Sequence, residues 1–202
     1  MADQIYLSLW FPNFRLEALA PAVVSVLKQF SLVGGASYLS ASAAYPISWN
    51  EAPVFQHIFV DPEGAGFNEA VVEAMELLHD DFAYEFEIKW DLWAPVEEGG
   101  LDVVWKKEPC TARVVGFGPE FDEGTYEQNG HVRVDFGLDT FFLHDDVELD
   151  PDGAEYVKRN VALLVELTNA IQSNCSISSR LLWSESGENL AQKLIARLQR
   201  LN

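Results

Sequence analysis

Apolar and polar positions alternate most cleanly between residues 84 and 92. Tyr84, Phe86, Ile88, Trp90 and Leu92 point one way, and Glu85, Glu87, Lys89 and Asp91 the other. A period of two with one charged side marks a strand with one face in water, which favours an antiparallel sheet. Apolar runs at 5–11, 54–60, 101–105, 112–117 and 131–136 extend the strand pattern. Phe141-Phe-Leu143 reads as another short strand, with Gly137 as a turn or bulge before it. Pro109 places Cys110 in a turn, and Glu97-Glu-Gly-Gly100 and Glu127-Gln-Asn-Gly130 carry hairpin chemistry. The stretch from Ala36 to Pro53 stays unassigned: Tyr38-Leu39 suits a strand, while Pro46 and Pro53 mark loop.

Helical spacing takes over in four places. Leu19, Val23, Leu27 and Phe30 share one face of a helix that ends at Gly34-Gly35 and accommodates Pro21 in its first turn. Phe67, Val71, Met75 and Leu78 form a second apolar stripe. Val157, Val161, Leu164, Thr168 and Ile171 form a third, in a long helix from about residue 151 to 172. The last helix, from about 187, uses Leu190, Leu194, Leu198 and Leu201, with Ser186 as its N-cap. These elements predict an α+β fold over 1–202 as one domain. Its sheet is largely antiparallel or mixed, with about six strands, and about four helices pack mainly on one face as a two-layer sandwich. An echo between Asp61-Pro-Glu-Gly-Ala65 and Asp150-Pro-Asp-Gly-Ala154 suggests either duplicated strand–helix units, near 54–80 and 140–172, or two independent helix starts.

Composition changes the picture little until charge is placed. The chain has 202 residues, 49% of them apolar and 22% charged, an ordinary globular balance. Its net charge is −19, and the acids are grouped. Residues 61–98 hold 12 Asp and Glu against Lys89 alone, and residues 119–155 hold another 12 against Arg133 alone. Such a field repels nucleic acid phosphates and anionic membranes, so neither is expected as a partner. A basic protein surface is favoured, with solubility alone as the competing explanation. The acids without a local role as helix starts are Glu85, Glu87 and Asp91 on the alternating strand, and Glu120, Asp122 and Glu123 in a loop. These six are the candidate partner-binding residues.

The first base is Arg15 and no apolar run approaches the ~20 residues that span a bilayer, so a cytoplasmic protein with two reduced thiols, Cys110 and Cys175, is expected. The oligomeric state is left open.

Motifs for chemistry are weak. His57, His79-Asp80 and Asp145 can be recited in the order of a His-Asp phosphohydrolase, but such sites converge from packed helices. An EF-hand register from Glu148 puts Asp150, Asp152 and Gly153 in place and then meets Arg159 where the bidentate Glu belongs. Trp183-Ser-Glu-Ser-Gly187 lacks the upstream Gly of a nucleophile elbow. Gly116-Phe-Gly118-Pro119 lacks the Lys-Ser/Thr of a phosphate loop, so no cofactor or metal is expected. The sequence therefore favours a non-catalytic acidic interaction module, an inhibitor, immunity-type or adaptor protein. The alternative is a small hydrolase or metal-dependent enzyme using some of His57, His79, His131 and His144.

Overall fold

The computed structural model describes residues 2–34, 37–61, 66–97, 103–144, 149–187 and 190–200. In chain order its elements are β1 (Gln4–Trp10), α1 (Leu19–Val33), β2 (Ser37–Pro46), β3 (Phe55–Ile58), α2 (Phe67–Ala74), β4 (Phe82–Glu97), β5 (Val103–Phe117), α3 (Tyr126–Asn129), β6 (Val132–Leu138), α4 (Thr140–Leu143), α5 (Pro151–Asn174), β7 (Ser179–Ser184) and α6 (Leu190–Arg200). Among the described residues seven strands form one sheet in the order β3-β2-β4-β5-β6-β1-β7, and every pairing is antiparallel. The expected α+β fold is what forms, with one strand more than the pattern suggested and two short helices more, α3 and α4.

The alternation of β4 organises the two faces. Tyr84, Phe86, Ile88, Trp90 and Leu92 are buried in one core with Ile5, Leu7 and Leu9 of β1, Leu19, Val23, Leu27 and Phe30 of α1, and Leu164, Leu167 and Ile171 of α5. Helix α1 approaches β5 tightly at Gly116: a Cβ there would come within 2.9 Å of both Leu19 Cδ1 and Val23 Cγ2. Gly116 lies next to the end of β5, inside the run 112–117 read as a strand, and its missing side chain lets the helix settle there. The stretch 16–33 also corrects the expectation that no run suits a bilayer. Its 18 residues are long and apolar enough to cross one by length and composition, although the helix residues named above are fully buried against the sheet.

Four other readings change. Of the two runs read at 101–105 and 112–117, residues 103–105 and 112–117 belong to one strand, because Pro109 sits opposite Asp91 where β5 has β4 on one side and has not yet met β6; residues 101 and 102 lie outside the described residues. Proline is tolerated where one strand edge needs no N–H donor. Cys110 therefore lies within β5, buried and free, as is Cys175. Thr140–Leu143 is a helical turn and no strand, because the Asp139 carbonyl accepts from Phe142 and Leu143 while the Asp139 carboxylate accepts from the Asp3 backbone. Glu127–Gly130 is helical up to Asn129, with Gly130 at φ 89°. Ser186 does not cap α6, which starts at Leu190; it binds the Asp3 carboxylate and helps hold that carboxyl below its usual range. The two halves of the Asp-Pro echo also differ: Asp150 caps α5 through the Gly153 N–H at 2.7 Å, whereas α2 starts at Phe67 with Gly66 at its N-cap. Residues 62–65 lie outside the described residues.

Beyond Trp90 the β4–β5 hairpin continues past the last β2 pairing, and among the described residues that edge of β4 has no strand partner. Asn160 of α5 supplies one. Its Oδ1 accepts from the Trp93 N–H at 2.9 Å, and its Nδ2 donates to the carbonyls of Trp93 at 2.8 Å and Phe141 at 2.9 Å. Trp93 and Trp105 then pack on Tyr156, with ring centroids 4.3 and 5.6 Å away. Asn160→Ala would leave three backbone groups without partners, and we expect a loss of about 2–4 kcal/mol in urea unfolding. A loss below about 1 kcal/mol would show that water replaces the amide.

Candidate functional site

Helices cover one face of the sheet, so the other must satisfy its own side chains. On that face two rungs cross all seven strands. One runs Ile58, Ala41, Glu87, Arg113, Asp135, Tyr6, Trp183, and the next runs Gln56, Ala43, Glu85, Val115, Arg133, Ser8, Leu181. The central acids meet bases there. Lys89 lies 2.9 Å from Glu87, and Arg113 reaches Glu87 and Asp135 at 3.9 Å and Glu85 at 4.0 Å. Burial raises the Glu85 carboxyl, and Arg113 offsets this only in part. Burial works in the same direction on Glu87, but hydrogen bonds from Ser40 and Lys89 outweigh it and hold that carboxyl below its usual range. Glu85 and Glu87 therefore belong to a compensated lattice. Cross-strand placement of opposite charges stabilises the sheet and leaves little surplus negative charge at its centre.

The surplus lies at one end of the same face. There Ala83, Val115, Phe117 and Phe121 form a second small core, flanked by Tyr45 and Tyr126. Trp49 stands over it, 5.2 Å from Phe121 and 5.1 Å from Tyr45, and keeps 37% of its surface exposed. Three loops are stitched together around these rings by backbone hydrogen bonds: Ile47 N–H to Asp81 at 2.7 Å, Asp122 N–H to Ile47 at 2.7 Å and Glu120 N–H to Asp80 at 2.8 Å. The stitching holds Ile47 at φ 62°, with Asp122 and Glu123 also left-handed at 47° and 58°. A β-branched residue is rarely found there, and left-handed backbone costs an L-residue about 1–2 kcal/mol. Yet Ile47 is 60% exposed, so little burial repays the strain. Asp80, Glu120, Asp122 and Glu123 are all exposed around it. None of these four acids forms an ion pair among the described residues.

Two of the three expected strand acids and the three loop acids thus share one face but differ in state. Glu85 lies one strand position from Ala83 of the aromatic core and is held by Arg113, while Glu120, Asp122 and Glu123 project from the loop that carries Phe121. Asp91 is remote, about 20 Å along β4 from Glu85. It borders a separate hollow of about 300 Å³ with Lys107 and Arg159. Sequence reasoning passed over Ile47, Trp49 and Tyr45, and weighed Asp80 only as part of a His-Asp motif. Pro46-Ile-Ser-Trp-Asn50, an apolar pair in an otherwise loop-like stretch, was the available signal.

The four histidines occupy four environments. His57 pairs with Glu73 at 2.9 Å, both nearly half exposed, in a hollow of about 450 Å³ that Glu69 and Asp61 also line. His79 packs on Phe82 at 4.7 Å. His131 lies between Phe14 at 4.1 Å and Tyr126 at 5.2 Å, and its Nδ1 accepts the Phe11 N–H at 3.0 Å. His144 packs on Trp105, with its Nε2 buried. Among the described residues no three His, Cys, Asp or Glu side chains are placed to hold a metal ion. Asp145 and Glu148, which entered the sequence motifs, lie outside the described residues.

Comparisons with protein-family models, curated proteins and solved structures each return no match. Function must be argued from the surface itself.

Burial holds the His131 imidazole below its ordinary value of 6.5, and burial together with Arg197 does the same for His144. The unfolded chain therefore takes up protons that the folded protein refuses. Stability from these groups is complete above about pH 6.5 and declines as pH falls from there toward the lowered folded values. Proton NMR should find two imidazoles titrating below 6.5, and urea stability should fall between about pH 7 and 5.5. His131→Asn, which keeps an acceptor near Phe11 without titrating, should make that decline shallower. Midpoints at or above 6.5 for His131 and His144 would contradict this assignment.

Proposed function

We propose that the chain is a non-catalytic binding protein that docks a basic protein surface at the aromatic end of its open sheet face. The observation that carries this reading is the exposed pair Ile47 and Trp49, held on stitched, strained loops and ringed by Asp80, Glu120, Asp122 and Glu123. Apolar and aromatic anchors inside a polar rim are the usual anatomy of a protein-binding patch. Strain held by backbone hydrogen bonds at a residue whose side chain gains little burial points to a role outside the fold. The rim supplies long-range attraction for Lys and Arg, the anchors supply affinity, and the arrangement suits an inhibitor, immunity-type or adaptor protein. The net charge of −19 supports the same choice, since it disfavours nucleic acid and anionic membranes as partners. Buried free thiols at Cys110 and Cys175 are compatible with a reducing, cytoplasmic setting.

The alternative of a small hydrolase or metal-dependent enzyme would centre on His57 and Glu73. The openness of that pair gives it the weaker claim, because a working acid–base pair gains from exclusion of water.

Two variants test the docking reading. Ile47→Asn places a residue that tolerates left-handed backbone at the strained position, so thermal unfolding should show unchanged stability or a gain of up to about 1 kcal/mol. The same variant should lose partner binding, separating function from folding. Asp122→Lys with Glu123→Lys should abolish capture of a partner that the unmodified protein retains at low salt and releases at high salt. A partner held equally well by both variants would overturn the site.

A further inference from the structure

Arg133 occupies the middle of the uncovered sheet face, opposite Val115 of β5 and Ser8 of β1. Its guanidinium carbon lies 5.0 Å from the Tyr6 ring and 5.3 Å from the Phe117 ring, so a planar cation is steadied by two aromatic side chains. Tyr6 is itself backed by Trp183, with ring centroids 4.6 Å apart. The neighbouring carboxylates act on Arg133 only through space. Asp135 accepts from the Gln4 side chain at 2.6 Å and from the Gly137 N–H at 2.8 Å, and Arg113 draws on Glu85, Glu87 and Asp135. Among the described residues the Arg133 guanidinium makes neither an ion pair nor a hydrogen bond, and its Nε is enclosed without a partner. Its two terminal nitrogens are not enclosed, so they remain as donors toward solvent.

A half-desolvated guanidinium with no acceptor is an incomplete arrangement. Charged hydrogen bonds are the strong ones, and the guanidinium fork matches a carboxylate in plane and spacing. We infer that Arg133 anchors a binding site for a small organic monocarboxylate, whose flat apolar body would lie along Tyr6 and Trp183. Charge decides between oxyanions. One guanidinium balances one negative charge, whereas a phosphate dianion would meet Glu85, Asp135 and the acidic field of the whole molecule. The site goes beyond the docking end and does not rest on it, because Ile47, Trp49, Asp122 and Glu123 take no part.

The test is an amide NMR titration with benzoate at pH 7 and fixed ionic strength. Expected are saturable shifts at the Trp183 indole N–H and at the amides of Val115 and Arg133, with millimolar affinity. Binding should weaken at least tenfold in Arg133→Gln and fall clearly in Arg133→Lys, which keeps the charge and loses the fork. Sulfate, a dianion at this pH, should not compete, and Asp122→Lys with Glu123→Lys should leave the Arg133→Gln effect unchanged. Thermal melts establish that the variants fold, and Arg133→Lys carries the comparison if Arg133→Gln does not. Shifts that grow linearly without saturation in the unmodified protein would overturn the site. So would undiminished binding in Arg133→Lys, or competition by sulfate.

Discussion

The side chains of Tyr84, Phe86, Ile88, Trp90 and Leu92 enter one core while Glu85, Glu87 and Lys89 stand on the opposite face, and the rest of the sheet takes its register from that division. A slip of one residue would push three charges into the helix layer and five large apolar side chains into water. Burying those five contributes on the order of 10 kcal/mol relative to exposure, far more than any surface ion pair on the other side. The two complete rungs across the open face therefore follow from burial beneath them. The ion-pair lattice of Arg113 is a consequence of that register, not its cause.

A sheet covered on one face has two ways to treat the other. It can cancel its charges locally or leave them for something outside. Here the centre is cancelled by Arg113 and Lys89, while the end near Trp49 is left acidic and anchored by aromatic rings. The loops at that end keep their shape through backbone hydrogen bonds, which explains how Ile47 can remain in a conformation its side chain disfavours. Arg133 lies between these regimes, packed on Phe117 of the aromatic core and on Tyr6, yet outside the lattice.

Strong periodicity survived into three dimensions; weak periodicity did not. The stripes of α1 and α5 and the alternation of β4 were legible because long amphipathic elements leave many concordant positions. Strand β2 was not, since Ser37–Pro46 is rich in Ser and Ala, residues with little strand preference, and its pairing between β3 and β4 decides it. Strand β7 escaped for a similar reason: Leu181 and Leu182 are adjacent, and pairing with β1 separates them onto opposite faces. Of the candidate site, the loop acids were visible as charge and Phe117, Phe121 and Tyr126 lie near them in sequence, but Tyr45 and Trp49 come from a distant segment that only the fold brings alongside.

By itself the sequence determined the α+β class, the inward stripes and the uncompensated total charge. These depend on local spacing and on sums over residues, which need no coordinates. Only the tertiary structure decided which acids are paired and which are free, because Glu87 meets Arg113 and Asp135 only through strand register. It alone brought Ile47 and Trp49 beside Asp122, and left Arg133 between two rings without an acceptor. Charge is additive along a chain, but its effect depends on distance, and distance is a property of the fold.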